Sequence, residues 1–128
     1  MQMTKKDIRP KLELTGATKN EKFQNEVLRP IIKLQHEILI LVFKNWCVKQ
    51  KIKLGNTSKE EFELLLKKSF SKNIAIRNLI LGIIIGHYTE DEYVTYQKNT
   101  SEYNKRIFTM TKKRLFDSFE EIKKGNHI

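Results

Sequence analysis

Cysteine, proline and tryptophan are nearly missing from this chain, which has one Cys, two Pro and one Trp in 128 residues. A lone thiol, Cys47, has no partner for an internal disulfide, so the fold must be held by packing. Its place inside ILVFKNWCV points to a buried thiol in a reducing compartment, with no basic neighbourhood in the sequence to activate it. Long apolar runs are missing too. The longest, Leu79 to Gly86, falls well short of the roughly twenty residues of a bilayer span. The opening MQMTKKDIRPKLELTG is basic but has no apolar core behind it, so no export signal is expected and the expected location is cytoplasmic. Internal repeats and low-complexity segments are also missing.

Negative charge is scarce relative to positive. Lys and Arg number 25 against 15 Asp and Glu, a formal charge of +10. A field of that sign draws nucleic acid, acidic protein faces or anionic lipid, although lysines can equally serve as a solvated surface. With 39% hydrophobic and 31% charged residues, the chain has the composition of one folded domain.

Reactive constellations are few. The three histidines, His36, His87 and His127, stand at no helical ligand spacing, and neither HExxH nor paired CxxC occurs. His36 reads as a partly buried, hydrogen-bonded residue near Ile40 and Phe43, and His87 as a residue that caps carbonyls or faces solvent. Glu90, Asp91 and Glu92 are consecutive and cannot all converge on one point; they suit a helix start instead. No nucleophile elbow, phosphate-binding glycine loop or dinucleotide fingerprint is present. No catalytic residue, metal ligand or cofactor is therefore expected.

The pattern predicts an all-α fold, a single domain of about five helices in a compact bundle with a long C-terminal helix. Residues 1–18, with Pro10 and Gly16, read as a flexible basic arm carrying Lys5, Lys6, Arg9 and Lys11. The helical domain spans 19–124 and a tail spans 125–128. Three capping boxes, Thr18 with Glu21, Ser58 with Glu61 and Thr89 with Glu92, mark helix starts. Helices are predicted from about Lys19 to Leu28, from Pro30 to about Lys51 (or continuous with the first through a kink at Pro30), from Ser58 to about Phe70, and from Asn73 to Ile85. From Thr89 to about Lys123 neither Gly nor Pro occurs, and Tyr93, Tyr96, Tyr103, Ile107 and Met110 recur at helical spacing before the stripe shifts to Phe108, Leu115, Phe119 and Ile122.

Two segments, Ile38 to Phe43 and Leu79 to Ile85, are apolar on every side and are expected to pack on each other at the centre. Gly82 would then sit at a close helix contact, and Gly86 would cap the helix in the left-handed conformation. So few helices can hardly surround both segments, which points to a homodimer.

The blocks EKFQNEVLRPIIKLQHEIL and GIIIGHYTEDEYVTYQKNTSEYNKRIF resemble a family of short bacterial proteins of no established activity, some labelled "glyoxalase". The similarity runs from about Ile8 to Phe119 and carries no functional residues with it. That label implies a metal-dependent lyase, whose βαβββ modules hold His and Glu ligands on strands.

At 100° per residue, Lys98, Lys105 and Lys112 fall within about 40° of one another, with Arg106 and Lys113 on the adjacent edge. Such a stripe, opposite the tyrosines, could follow a phosphate backbone. Glu102 with Arg106 and Lys113 with Asp117 also have the spacing of surface ion pairs. The leading expectation is a non-catalytic helical module for an acidic macromolecule, nucleic acid first, using Lys98, Lys105, Arg106, Lys112 and Lys113. The alternative is an assembly module whose apolar helix surface meets a partner helix or a second copy.

Overall fold

The computed structural model describes Lys5, Lys6, Ile8, Arg9 and residues 18–124. Most of the N-terminal arm, including Pro10, Lys11 and Gly16, and the tail with His127 lie outside these residues. All regular structure among the described residues is helical. No helix there is long and apolar enough to cross a membrane.

The first rod runs through α1 (Lys19–Phe23), a π turn (Gln24–Leu28) and α2 (Arg29–Leu34). Thr18 Oγ1 accepts the Glu21 N–H and starts it. Pro30 has no N–H to offer the carbonyl four residues back; the wider turn just before it, where Arg29 N–H reaches Gln24 O, lets the chain pass without breaking. Pro30 therefore sits in the first turn of α2, as expected of a proline that opens a helix, with the π turn joining α2 to α1. The bend comes later, at Gln35 (φ −95°, ψ 16°), after which α3 runs from His36 to Lys49.

Lys51 ends α3 and has a left-handed φ of 60°. Lys51 N–H bonds Val48 O and Ile52 N–H bonds Cys47 O, the paired bonds of a Schellman motif, with Ile52 half-buried against the core. A lysine takes the place usually held by glycine. Ser58 and Glu61 then close a complete capping box for α4 (Lys59–Lys72), and Asn73 Oδ1 caps α5 (Ile74–Ile85) by accepting the Ile76 N–H.

Two sequence expectations for α5 fail. Gly82 makes no close contact: it is exposed, and a Cβ added there would meet no atom within 4 Å. Gly86 does cap the helix, but with right-handed angles (φ −58°, ψ −17°). Nor is α5 surrounded. Ile76, Ile80 and Ile84 face the core, whereas Ile74 and Leu79 stay exposed, and on α3 Ile38, Leu41 and Val48 do the same. The two helices do pack on each other, but each buries one side only.

The expected long helix from Thr89 to Lys123 is three helices: α6 (Glu90–Gln97), α7 (Thr100–Asp117) and α8 (Phe119–Lys124). At the first break Thr100 Oγ1 donates back to Tyr96 O and Gln97 O, and Asn99 adopts φ −150°. At the second, Ser118 Oγ bonds back to Arg114 O and its N–H is shared between Arg114 O and Leu115 O, which bends the chain. The centre of the bundle is α7, which packs against α2, α3, α4, α5, α6 and α8. Its Tyr103, Ile107, Phe108, Thr111 and Leu115 are buried. Aromatic contacts tie the layers together, among them Phe62 with Phe119 at 5.0 Å and Phe23 with Tyr103 at 4.4 Å. Cys47 is fully buried here, and burial pushes its thiol up to about 12.

Candidate polyanion-binding surface

The five stripe residues do not form one row. Lys98 caps the end of α6, beyond the break at Asn99, so its helical phase is not that of α7. On α7 itself, Lys105 is exposed and Lys112 half-buried along the α4 side, with Lys112 beside Leu66 and Phe116. Arg106 and Lys113 lie along the α2 side. Both are paired: Arg106 Nε donates to Glu102 Oε1 at 3.0 Å and its Nη1 to Gln24 Oε1 at 2.8 Å, and Lys113 Nζ meets Asp117 Oδ2 at 3.1 Å. These are the two ion pairs that the spacing anticipated. Lys98, Lys105 and Lys112 have no carboxylate partner among the described residues.

Other elements add cations that no periodicity on α7 could reveal. Lys59, from the first turn of α4, places its Nζ 5.0 Å over the Phe116 ring. Across the other edge of α7 lies a groove of about 470 Å³ lined by Arg29, Lys113 and Arg114 with a single carboxylate, Asp117. Thr109, Ser118 and Gln24 add hydrogen-bonding groups and Met110 and Ile32 an apolar floor. Arg29 comes from the helix that follows the π turn, 84 positions before Lys113 in the chain.

The tyrosines behind this surface are structural. Tyr96 and Tyr103 are buried and stacked, and Tyr96 Oη donates to Asn104 Oδ1. Tyr93 remains half-exposed. Burial raises Tyr103, Tyr96 and, much more strongly, Tyr88, whose hydroxyl has no hydrogen-bond partner among the described residues, so none of them ionises near neutrality.

The one carboxylate–histidine cluster among the described residues is His36, Glu37 and Glu121, whose donor atoms lie within 4.8 Å of one another. Its hydrogen bonds speak for a different arrangement. Arg114 Nη1 stands 3.2 Å from His36 Nδ1 and can only donate, so the ring proton sits on Nε2 and faces Glu121 Oε2 at 3.2 Å. A cation would need that nitrogen's lone pair and would meet the Arg114 charge. Arg114, His36 and Glu121 instead form a hydrogen-bond chain joining α7, α3 and α8.

A larger cavity, about 610 Å³, lies between the N-terminal segment, α1 and α6. Its cations, Lys6, Arg9, Lys19 and Lys22, are answered by Glu26, Asp91 and Glu92, so it offers an anion less than the α7 groove does. Within it Arg9, read from sequence as one of the arm's charges, is buried and grips Glu92 with both nitrogens, Nη1 to Oε2 at 2.9 Å and Nη2 to Oε1 at 2.8 Å. Arg9 Nη2 also donates to His87 O, and Lys5 Nζ to Tyr88 O at 2.9 Å. Burial alone would raise the Glu92 carboxyl, but Arg9, the Thr89 N–H and Lys6 outweigh it and hold the group below its ordinary value. His87 is half-buried and accepts from Gln35 Nε2; burial, then Arg9 and Lys5, lowers its pKa and keeps the ring neutral.

Comparison of the chain with known family models, curated proteins and solved structures finds no match. No strand occurs among the described residues, so the strand-borne ligands of a βαβββ lyase have no counterpart there.

Proposed function

We propose that the protein is a non-catalytic helical module that binds an acidic macromolecule, nucleic acid first, along α7. The observation that carries this reading is a run of cations on both edges of α7 that exceeds its carboxylates. Lys105 and Lys112 lack carboxylate partners among the described residues, and the adjoining groove sets Arg29, Lys113 and Arg114 against Asp117 alone. A concave cationic strip favours a phosphate backbone because each neutralised phosphate releases counterions. The strip has little base-stacking surface, since Phe116 is only partly exposed, which favours contact with backbone over readout of sequence.

The test is fluorescence anisotropy with labelled mixed-sequence RNA and duplex DNA over a salt series. Affinity should fall steeply with salt, and Lys105→Glu with Lys112→Glu and Lys113→Glu should abolish binding while helicity is unchanged. Absence of binding at low salt, or binding by the folded triple variant as tight as by the natural chain, overturns the reading.

A further inference from the structure

A second surface is as poor in charge as α7 is rich. On α3, Ile38, Leu41, Asn45 and Val48 repeat at helical spacing along one outer face, and the exposed charges beside them, Glu37 and Lys49, are one of each sign. Ile38, Leu41 and Val48 each keep about half their surface open to solvent. On the neighbouring α5 the outer face is Ala75, Asn78, Leu79, Gly82 and Gly86, all exposed and uncharged. The one charge in α5, Arg77, is turned away, its guanidinium 4.9 Å over the Phe108 ring of α7. The Gln35–His87 contact sets the start of α3 beside the end of α5, so the two outer faces belong to packed neighbours.

We propose that this α3/α5 face is where a second copy of the chain docks, across a two-fold axis. Charge is the first argument. Two chains of +10 repel wherever their lysines meet, and this is a face whose two charges, Glu37 and Lys49, cancel, so that copies can meet here without net repulsion. Shape is the second argument. If α5 crosses its copy antiparallel about a point between Ile80 and Leu81, Leu79 of each chain falls opposite Gly82 of the other, and Ala75 opposite Gly86. The large exposed side chain then meets the missing one, and Gly82 has open space where a Cβ would stand. Size is the third argument. Helices of 14 and 12 residues are about 20 Å long, and two of them about 10 Å apart offer a face of about 400 Å² in projection, the scale of a weak, concentration-dependent dimer below the ~800 Å² per partner of a standard interface. This surface is distinct from the α7 strip, and a dimer would place two such strips on one particle.

Sedimentation velocity on the full chain from micromolar to near-millimolar concentration tests the proposal. The natural chain should sediment increasingly as a dimer across that range. Leu79→Glu should sediment as a monomer of unchanged helicity. Gly82→Leu should also shift the equilibrium to monomer, although within one chain its side chain would meet only solvent. Lys105→Glu, on the other surface, should leave the dimer intact. A natural chain that stays monomeric throughout, or a dimer that survives both Leu79→Glu and Gly82→Leu, overturns the proposal.

Discussion

The capping boxes at Ser58 and Thr89 use the same atoms in the same register but sit in different company. In each, the hydroxyl accepts the N–H three residues on, and the glutamate there returns a bond of 2.9 Å to the cap's own N–H. Glu61 then faces water, whereas Glu92 is buried with Arg9, the two side chains only 8% and 4% exposed. One box therefore starts a helix. The other starts a helix and anchors a segment more than 80 positions away in the chain. A four-residue pattern announces the local bonds in both cases, and nothing in it announces the arginine.

The largest effect should come from breaking the buried pair. Arg9→Ala leaves Glu92 buried without its counter-charge and should cost about 3 kcal/mol, at the low end for buried pairs because the adjoining cavity admits water. Urea unfolding followed by circular dichroism measures it; a cost no larger than that of a surface charge would mean that the two boxes are equivalent after all.

Next come the hydroxyls. Ser58→Ala and Thr89→Ala should each cost about 1 kcal/mol as lost caps. Their coupling to Arg9 should differ. In an Arg9→Ala background Thr89→Ala should cost less than in the natural chain, by about 0.5 kcal/mol or more, while the Ser58→Ala cost stays unchanged. Equal additivity at both sites would erase the distinction between them.

Acid should separate the boxes further. Glu92 has a folded pKa below its ordinary 4.5, so it contributes stability above that value and loses it as pH falls through the folded pKa. His87 has the same sign: its folded pKa lies below 6.5, the unfolded chain takes up the proton first, and stability is lost as pH falls below 6.5. The melting temperature should thus fall in two stages, and His87→Gln should flatten the upper one. The smallest effect belongs to Glu61→Gln. The Ser58 backbone N–H and hydroxyl lower Glu61, but the group is fully exposed, so its share of the lower stage should fade in high salt.

What could be read beforehand follows the same division between local and distant. The all-helical character, the starts at Thr18, Ser58 and Thr89, and the α7 ion pairs were legible because each depends on residues three or four apart. The end of α3 was legible too, near Lys51, although the residue that makes the left-handed cap is a lysine and not the usual glycine. The breaks at Asn99 and Ser118 lay in runs free of Gly and Pro and are set by weaker side-chain competition for backbone groups. Gly82 was misplaced because an all-apolar helix implies burial on every side, whereas α5 fully buries only the side of Ile76, Ile80 and Ile84. Of the candidate surface, Lys105 and Lys112 were readable from α7 alone. Arg29, Lys59 and Arg114 join it only through packing, and Lys98 leaves the row once the helix divides.

One cysteine, sealed between α3 and the core and held almost wholly as the neutral thiol, turns the molecule into its own clock. A thiol reagent cannot reach Cys47 in the closed state, so every labelling event counts an opening of the core. The rate at which label accumulates in native buffer then reads the population of the open core, or, at reagent concentrations where labelling outpaces reclosing, how often the bundle opens. That reading needs no denaturant and no introduced probe.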